Sequence, residues 1–296
     1  MTDSTGVTDA PTEAPAGDST GNPTGEGGRG AAIRPQVYVL TFCGSHLLGR
    51  PEAFFTGSFV DVLRRVGVAE HAARSTLNRM VKRGLLERHR RGKKIYLSLT
   101  RHAEEILEEG GARAWEMPVN RAWNGHWTLL AFSLPEARRA DRHLLRSRLL
   151  FARFGLLKNG LWIAADDVDV PKLLDGLDVL DDVRAFRASA LPPTDAAQLI
   201  DDAWDLGALR AGYESFLDRW DRPSPAPGAE DDLARELYLA GEWLFLVRED
   251  PRLPLEHLPA DWPAVRAEHV ALRLRGAYRE SARKIVDAEV DRIPLP

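Results

Sequence analysis

The chain has 296 residues, of which 44% are hydrophobic, with a net charge of −4 and one cysteine, Cys43. The length predicts two or three domains, and a lone cysteine excludes an internal disulfide and a thiolate-rich zinc site. No apolar run reaches the length of about 18 residues that a membrane span needs, and the N-terminus lacks the basic flank and apolar stretch of a secretory signal. We therefore expect a cytoplasmic protein that makes no membrane contact.

Two stretches of the chain have the composition of unstructured segments. Residues 1–30 are mostly Thr, Gly, Pro, Ala, Ser and acidic residues, with almost nothing to bury, which predicts a disordered tail. Residues 221–229 are rich in Pro and predict a linker between helices. The sequence then divides into a first domain at 31–112, a central domain at 120–192 and a helical C-terminal domain at 193–296.

Positive charge is concentrated in one segment. Between Arg64 and Lys94 there are eleven Lys or Arg residues against only Glu70 and Glu87. This segment carries a charge of about +9, so the remainder carries about −13. One basic patch on an acidic body is typical of a protein that binds nucleic acid, although a basic segment is also often just a solvated face.

The first domain begins with helices that have clear boundaries. Pro35 suits the first turn of a helix. Ser58 is expected to cap a second helix, with Asp61 completing a capping box, and Gly67 is expected to end it. After a tight turn, residues 70–83 have the periodicity of a third helix.

The third predicted helix has two distinct faces. At 100° per residue, one face is apolar, and the other carries guanidinium, amide, hydroxyl and ammonium groups. Arg pairs with guanine and Asn with adenine in the DNA major groove. We therefore predict four residues that read bases: Arg74, Ser75, Asn78 and Arg79.

A basic hairpin follows this helix. Residues 85–88 and 95–99 have the pattern of strands, and Gly92 allows the turn between them. We expect the surrounding cations to contact phosphate: Lys82, Arg83, Arg88, Arg90, Arg91, Lys93 and Lys94. The combination predicts a winged helix-turn-helix that binds a double-stranded DNA operator. The plainer alternative is a small helical domain with a charged surface.

The central domain has the predicted element order β-α-β-β-α-β. Strands are expected at 127–134 and 183–191, with a hairpin at 155–164 about Asn159-Gly160 between two helices. Leu144, Leu145, Leu149 and Leu150 are expected to point inward from the first helix. This order is the ferredoxin-like arrangement, so the fold class is α+β. This fold supports many functions, so the sequence does not decide between three roles for the central domain: a ligand sensor, a dimerisation module and a nuclease-like unit.

Nothing in the sequence predicts catalysis. Cys43 and His46 are too few for a metal site, and the acidic run at 166–169 is better explained as the cap of a helix. No Gly-rich phosphate loop, nucleophile motif or dinucleotide fingerprint is present. We expect no catalytic residue, no metal and no cofactor. The third region is helical, and most of its many aromatic residues are expected in a core, with a minority lining a ligand pocket.

Several strings carry a family resemblance. They are 73–86 and 91–100 in the first domain, 146–150 and 160–163 in the central domain, and Trp204-Asp205-Leu206, 213–216, 250–254 and 258–263 in the third. The chain resembles the PaaX family of phenylacetate-catabolism repressors over essentially everything after the tail. The tail and Ala264, where Gly is expected, depart from the family pattern.

The resemblance implies a repressor of an aromatic-acid catabolic operon. An aryl-CoA thioester is expected to release this repressor from its operator. Our leading hypothesis is a homodimeric transcriptional regulator with an acyl-CoA effector bound between the second and third domains. The expected effector residues are Arg153, Lys158, Trp162, Trp204, Tyr213 and Arg248. The alternatives are a ferredoxin-like, metal-dependent RNA-processing enzyme with a nucleic-acid-binding appendage, and a module that binds protein.

Overall fold

The computed structural model describes residues 33–115, 119–157, 160–225 and 228–295. The tail predicted at 1–30 lies outside these residues. The helices are α1 Pro35–His46, α2 Thr56–Arg65, α3 Glu70–Lys82, α4 Arg101–Trp115, α5 Arg139–Phe151, α6 Val170–Leu173, α7 Ala196–Ala203, α8 Leu206–Trp220, α9 Asp232–Glu249 and α10 Ala264–Glu289. The strands are β1 Glu52–Phe55, β2 Leu86–Arg91, β3 Lys94–Leu99, β4 Trp127–Phe132, β5 Gly155–Leu156, β6 Leu161–Ala164, β7 Val183–Ala188 and β8 Arg292–Pro294. The expected mixture of helices and strands, an α+β class, is confirmed.

The start of α2 differs from the sequence prediction. The helix begins at Thr56, and Ser58 lies buried inside it. The Ser58 hydroxyl accepts a hydrogen bond from the backbone N–H of Asp291 at 3.2 Å, and Asp61 pairs with Arg64. The predicted cap at Ser58 is therefore wrong, because a residue from the far end of the chain uses its hydroxyl.

The first sheet joins the two ends of the described chain. Its strand order is β2-β3-β1-β8, and its pairs are antiparallel. Glu52 pairs with Pro294, and Phe54 pairs with Arg292 on one side and Leu97 on the other. The C-terminal strand is thus the fourth strand of the sheet that carries the β2–β3 hairpin.

The core under this sheet is also shared. Leu77 and Met80 of α3 pack in one buried cluster with α1, α2 and the sheet. The same cluster contains Leu237 of α9 and Val286 of α10. The N-terminal elements therefore rest directly on the C-terminal helix pair.

The central sheet has the strand order β5-β6-β4-β7, with antiparallel neighbours throughout. One face packs against α5 and α6, and the other packs against α7. On α5, Leu145 and Leu149 are fully buried, whereas Leu144 is 45% exposed and Leu150 is 62% exposed. The expectation that all four leucines point inward is therefore wrong for Leu144 and Leu150. Each lies about 100° around the helix from the buried stripe.

The C-terminal helices α8, α9 and α10 pack around aromatic residues. Trp220 and Trp243 have no exposed surface, and Trp262 is 6% exposed, in agreement with the core role expected for most aromatics. Phe245 is an exception, with 50% of its surface exposed. Within the described residues, no helix is both long enough and apolar enough to span a membrane.

Candidate nucleic-acid interface

Helix α3 turns one face to the core and the other to solvent. Ala73, Thr76, Leu77 and Met80 are buried. All the side chains predicted to contact DNA, on α3 and on the hairpin that follows, are exposed: Arg74, Ser75, Asn78, Arg79, Lys82, Arg83, Arg88, Arg90, Arg91, Lys93 and Lys94. The amphipathic pattern of α3 therefore presents its polar groups as one continuous face.

Hydrogen bonds within α3 arrange two of these guanidinium groups. Arg74 Nε donates to Glu70 Oε1 at 2.8 Å. Arg79 donates to Ser75 Oγ at 2.8 Å and to Thr76 Oγ1 at 2.9 Å. Each guanidinium keeps further N–H groups that can donate to a base or a phosphate, because Arg has five such donors.

One hydrogen bond joins α3 to the hairpin. Arg88 Nη2, on β2, donates to Asn78 Oδ1 at 2.6 Å. The amide nitrogen of Asn78 stays available as a donor. The sequence predicted both residues as DNA contacts but gave no sign that they contact each other.

The turn of the hairpin places cations at its tip. Arg91 pairs with Lys94 across the two strands, with Gly92 and Lys93 between them. Gly92 has a φ of 58°, which a residue without Cβ adopts at little cost. Arg90 Nε donates to the carbonyl of Gly92 at 3.2 Å. Arg91 and Lys93 therefore extend from a turn with a defined shape.

Ion pairs neutralise part of the basic segment. Arg64, Arg65, Arg74 and Lys94 each pair with a carboxylate. The other seven Lys and Arg residues between 64 and 94 have no ion pair within the part of the chain that the structure describes, and we call them the unpaired cations: Arg79, Lys82, Arg83, Arg88, Arg90, Arg91 and Lys93. They all lie on α3, the hairpin or the turn between them, so the remaining positive charge coincides with the exposed face.

The predicted effector residues separate into two groups. Arg153, Trp204 and Arg248 line one cavity of about 480 Å³ between the ends of α5 and α9. Leu150 and Phe151 line it as well, although no sequence pattern indicates them as effector residues. The Arg248 guanidinium lies 5.4 Å from the centre of the Phe151 ring, a cation–π distance.

The other predicted effector residues do not line this cavity. Trp162 is 2% exposed and belongs to the core between the central sheet and α5. Tyr213 is 1% exposed, and its hydroxyl donates to Asp250. Burial raises the pKa of Tyr213. Lys158 lies outside the described residues.

A second cavity, of about 530 Å³, lies between α2 and the C-terminal helices. Val62, Leu233 and Val286 line it, together with charged groups at its rim. Arg65 pairs with both Asp231 and Glu289 there. The sequence gave no signal for this cavity, because its walls come from opposite ends of the chain.

The residues considered for metal chemistry have structural roles. Asp169 caps α6 by accepting from the backbone N–H of Lys172 at 3.1 Å, as expected for the acidic run. Cys43 is fully buried, and burial raises the pKa of its thiol. Among the described residues, no group of three or more His, Cys, Asp or Glu side chains is arranged to hold a metal ion.

Comparison with known proteins assigns the chain to a family. The description "PaaX-like protein" matches residues 34–103, "PaaX protein central Cas2-like domain" matches 120–200, and "PaaX-like protein C-terminal domain" matches 204–288. The chain belongs to the PaaX-like family. The transcriptional repressor PaaX of Escherichia coli (strain K12) is 27% identical over 277 residues, which cover 87% of this chain and 86% of that protein.

A solved structure shares the fold of this PaaX-like chain. It is the uncharacterized protein Rv0674 from Mycobacterium tuberculosis, with 23% identity and a TM-score of 0.58. The match covers 87% of this chain and 100% of the other. At this level of identity the likeness concerns the fold alone.

Proposed function

We propose that this PaaX-like chain is a transcriptional repressor that binds operator DNA through α3 and the β2–β3 hairpin. The observation that carries the proposal is the continuous exposed face on which the seven unpaired cations lie beside Asn78. A protein with a net charge of −4 gains little from placing seven unpaired cations on one face unless that face meets an anion. The name of the E. coli relative, a transcriptional repressor, supports the same function.

The fold names that fit these observations follow from element order. Helices α1, α2 and α3 with the hairpin β2–β3 correspond to a winged helix-turn-helix, in which α3 is the recognition helix. The central elements β4, α5, β5, β6, α6 and β7 correspond to a ferredoxin-like domain. We propose this layout because each element follows in the order that these folds require.

In the proposed complex, α3 enters the major groove. Arg74, Ser75, Asn78 and Arg79 face the base edges, and the hairpin follows the phosphates. The chain acts as a homodimer, so that two copies of α3 meet half-sites about 34 Å apart. The target is an operon for aromatic-acid catabolism, in line with the family resemblance.

Footprinting on the DNA upstream of the chain's own operon tests the proposal. We expect sequence-selective protection of two symmetric half-sites, which weakens steeply with salt. Changing Lys82 to Gln should reduce the steepness of log affinity against log salt by about 0.9, the contribution of one phosphate contact. The matched control is Lys172→Gln on α6, which should leave affinity and slope unchanged. Protection without sequence preference, or no protection, would overturn the proposed function.

We propose the 480 Å³ cavity between α5 and α9 as the effector site. Its volume lies in the range of about 300–1,000 Å³ that is usual for small-molecule sites. Arg153 and Arg248 suit the phosphates of an acyl-CoA thioester, and Phe151 and Trp204 suit its acyl or aryl group. This combination of cations and apolar surface supports an amphipathic anion as the ligand.

Titration calorimetry against a panel of CoA thioesters tests the effector site. We expect one aryl-CoA to bind and to release the operator, and Arg248→Gln to weaken that binding. Arg64→Gln at the 530 Å³ cavity is the control and should leave it unchanged. Loss of binding on Arg64→Gln alone would move the site to that cavity. Failure of the whole panel, with DNA affinity intact, would contradict the acyl-CoA effector.

The RNA-processing alternative rests on the central domain, whose family description is Cas2-like. Two side chains of its acidic run at 166–169 already have partners, since Asp169 caps α6 and Asp167 pairs with Arg187 at 3.3 Å. These contacts favour the repressor. A magnesium-dependent RNase assay separates the two functions, and cleavage that Asp167→Asn abolishes would favour the enzyme.

A further inference from the structure

Asp291 lies between α10 and β8, and four groups from the N-terminal elements contact it. Its Oδ2 accepts from Lys94 Nζ at 2.7 Å, and the Tyr96 hydroxyl lies 3.3 Å from both carboxylate oxygens. Its backbone N–H donates to Ser58 Oγ at 3.2 Å, and its carbonyl accepts from the N–H of Phe55 at 2.8 Å. One residue thereby connects the C-terminal segment with β1, α2 and β3.

The strand that follows Asp291 strengthens this connection. Ala53 pairs with Ile293, and the N–H of Leu295 donates to the carbonyl of Pro51 at 2.8 Å. Strand β1 then pairs with β3, which forms one side of the hairpin. Backbone contacts of residues 291–295 therefore hold the strand next to the hairpin.

Lys93 and Lys94 are neighbours with different surroundings. Lys94 pairs with Asp291, and its Nζ lies 5.0 Å from the centre of the Phe55 ring. The hydrogen bond to Asp291 raises the pKa of Lys94. Lys93, at the tip of the hairpin, has no ion pair within the described residues. The two lysines thus differ in contact although they are adjacent in the sequence.

We propose that Asp291 is a positioning residue of the DNA-binding hairpin, and that Lys94 is its counter-ion and does not contact phosphate. The proposal rests on the proposed function, because the hairpin is taken to meet DNA. It replaces the sequence expectation for Lys94 and adds a residue that the sequence did not single out. It also makes the hairpin depend on α10, which ends two residues before Asp291.

Paired lysine variants test the role of Lys94 on DNA. Lys93→Gln should reduce the slope of log affinity against log salt by about 0.9, as expected for the loss of one phosphate contact. Lys94→Gln should leave that slope unchanged, because its ammonium already has a carboxylate partner. A reduction by Lys94→Gln that equals the reduction by Lys93→Gln would overturn the proposal.

Hydrogen–deuterium exchange of the full chain without DNA tests the role of Asp291. Asp291→Asn should speed exchange in residues 86–99 by about fivefold, the effect of losing one hydrogen-bonded pair. The matched control Asp167→Asn, which removes an ion pair of the central domain, should not change exchange at 86–99. Thermal unfolding confirms that each variant is folded.

A double variant that swaps the two charges is the second part of this test. Lys94→Asp combined with Asp291→Lys restores an opposite pair and should return exchange at 86–99 towards the wild-type rate. Unchanged exchange in Asp291→Asn would overturn the positioning role. The exchange measurement needs no DNA, so its outcome tests the positioning role of Asp291 alone. Failure of the wild-type chain to bind any operator would instead contradict the proposed function.

Discussion

His46 on α1 and Glu236 on α9 are 190 residues apart in the sequence, yet His46 Nε2 lies 2.8 Å from Glu236 Oε2. Both residues are buried, with 2% and 4% of their surfaces exposed. The Phe42 ring packs beside His46, with its centre 5.3 Å from the centre of the imidazole. This buried pair therefore joins α1, which packs against α3, to the C-terminal helix pair.

Changing His46 to Leu should destabilise the protein strongly. The substitution leaves the buried Glu236 side chain without its hydrogen-bond partner, and an unsatisfied buried polar group costs about 1–3 kcal/mol of the free energy of unfolding, more where the group is charged. Urea denaturation followed by tryptophan fluorescence measures the loss, with the dependence on urea concentration compared between variants.

The double variant His46→Leu, Glu236→Met is the control for this prediction. It removes both polar groups and fills similar volume, so it should recover most of the lost stability. A double variant as unstable as His46→Leu would show that lost packing around His46, and not the unpaired carboxylate, causes the effect.

How much of the fold the sequence predicts depends on how local each element is. The sequence predicts α3 at 70–83 and the helix is found at Glu70–Lys82, because the helical period of these residues alone separates the apolar face from the polar face. Strands β1 and β8 were not predicted. They have four and three residues and pair with each other across almost the whole chain, so neither carries a pattern of its own.

The same distinction applies to the candidate site. Exposure of the side chains on α3 follows from the helical period, and the predicted exposed face is found. The partner of Lys94 is 197 residues away, and no local pattern indicates it. Family resemblance and aromatic content predict Trp162 and Tyr213 as lining a ligand cavity, but large aromatic side chains also fill cores, and both are buried there.

The stability of the protein should depend on pH through Asp250. Burial raises the pKa of this carboxyl group, against the opposing effect of hydrogen bonds from the Tyr213 hydroxyl and the Arg252 N–H. The Asp250 carboxyl group therefore keeps its proton to higher pH in the folded state than in the unfolded state, where its pKa is near 3.8. The contribution of Asp250 to stability is therefore full below about pH 3.8 and is lost as the pH rises through the folded pKa.

Asp250→Asn removes this dependence. The stability of the variant relative to the wild type should rise as the pH increases from 4 towards neutral, which urea unfolding at a series of pH values measures. Asp261→Asn is the control, and its stability relative to the wild type should change with pH in the opposite direction. Arg210 lowers the pKa of Asp261, so the contribution of Asp261 to stability is lost as the pH falls. A relative stability of Asp250→Asn that falls with rising pH would contradict the prediction.

Gly155 directly follows Phe154, which lines the cavity proposed for the effector, and it packs against Trp204 of the same cavity. A Cβ at this position would lie 2.6 Å from Trp204 Cε2 and 2.8 Å from the carbonyl oxygen of Ala203. Gly155→Ala should therefore lower the free energy of unfolding by about 1–3 kcal/mol, as overpacking does, and should displace Trp204. Thermal unfolding measures the loss of stability. Titration with the aryl-CoA ligand measures how the displacement of Trp204 changes the affinity of the cavity.

Gly110 in α4 is the control for Gly155. A Cβ there meets nothing within 4 Å, so Gly110→Ala should stabilise the helix by up to about 1 kcal/mol. If Gly155→Ala were equally stabilising, the close approach of β5 to Trp204 would be absent in solution.

The contact between Asn78 and Arg88 leads to a prediction about sequence specificity. In the proposed complex Asn78 faces the bases, so Asn78→Ala should relax discrimination at one base position by about 1–3 kcal/mol. Arg88→Gln should instead weaken binding to all sequences alike and reduce the salt slope by about 1, as expected for a phosphate contact. Binding to a set of operators with single base changes, at several salt concentrations, measures both effects.

The double variant decides whether the 2.6 Å hydrogen bond between Arg88 and Asn78 persists on DNA. If the bond breaks when each side chain turns to its own target, the two changes should add within about 0.5 kcal/mol. If Asn78 serves mainly to hold Arg88 against the phosphate, Asn78→Ala should weaken all operators alike, and adding Arg88→Gln should cause little further loss. We expect additivity, because a phosphate gives the Arg88 guanidinium a stronger, charge-assisted partner than the Asn78 amide oxygen, so that the bond breaks on DNA.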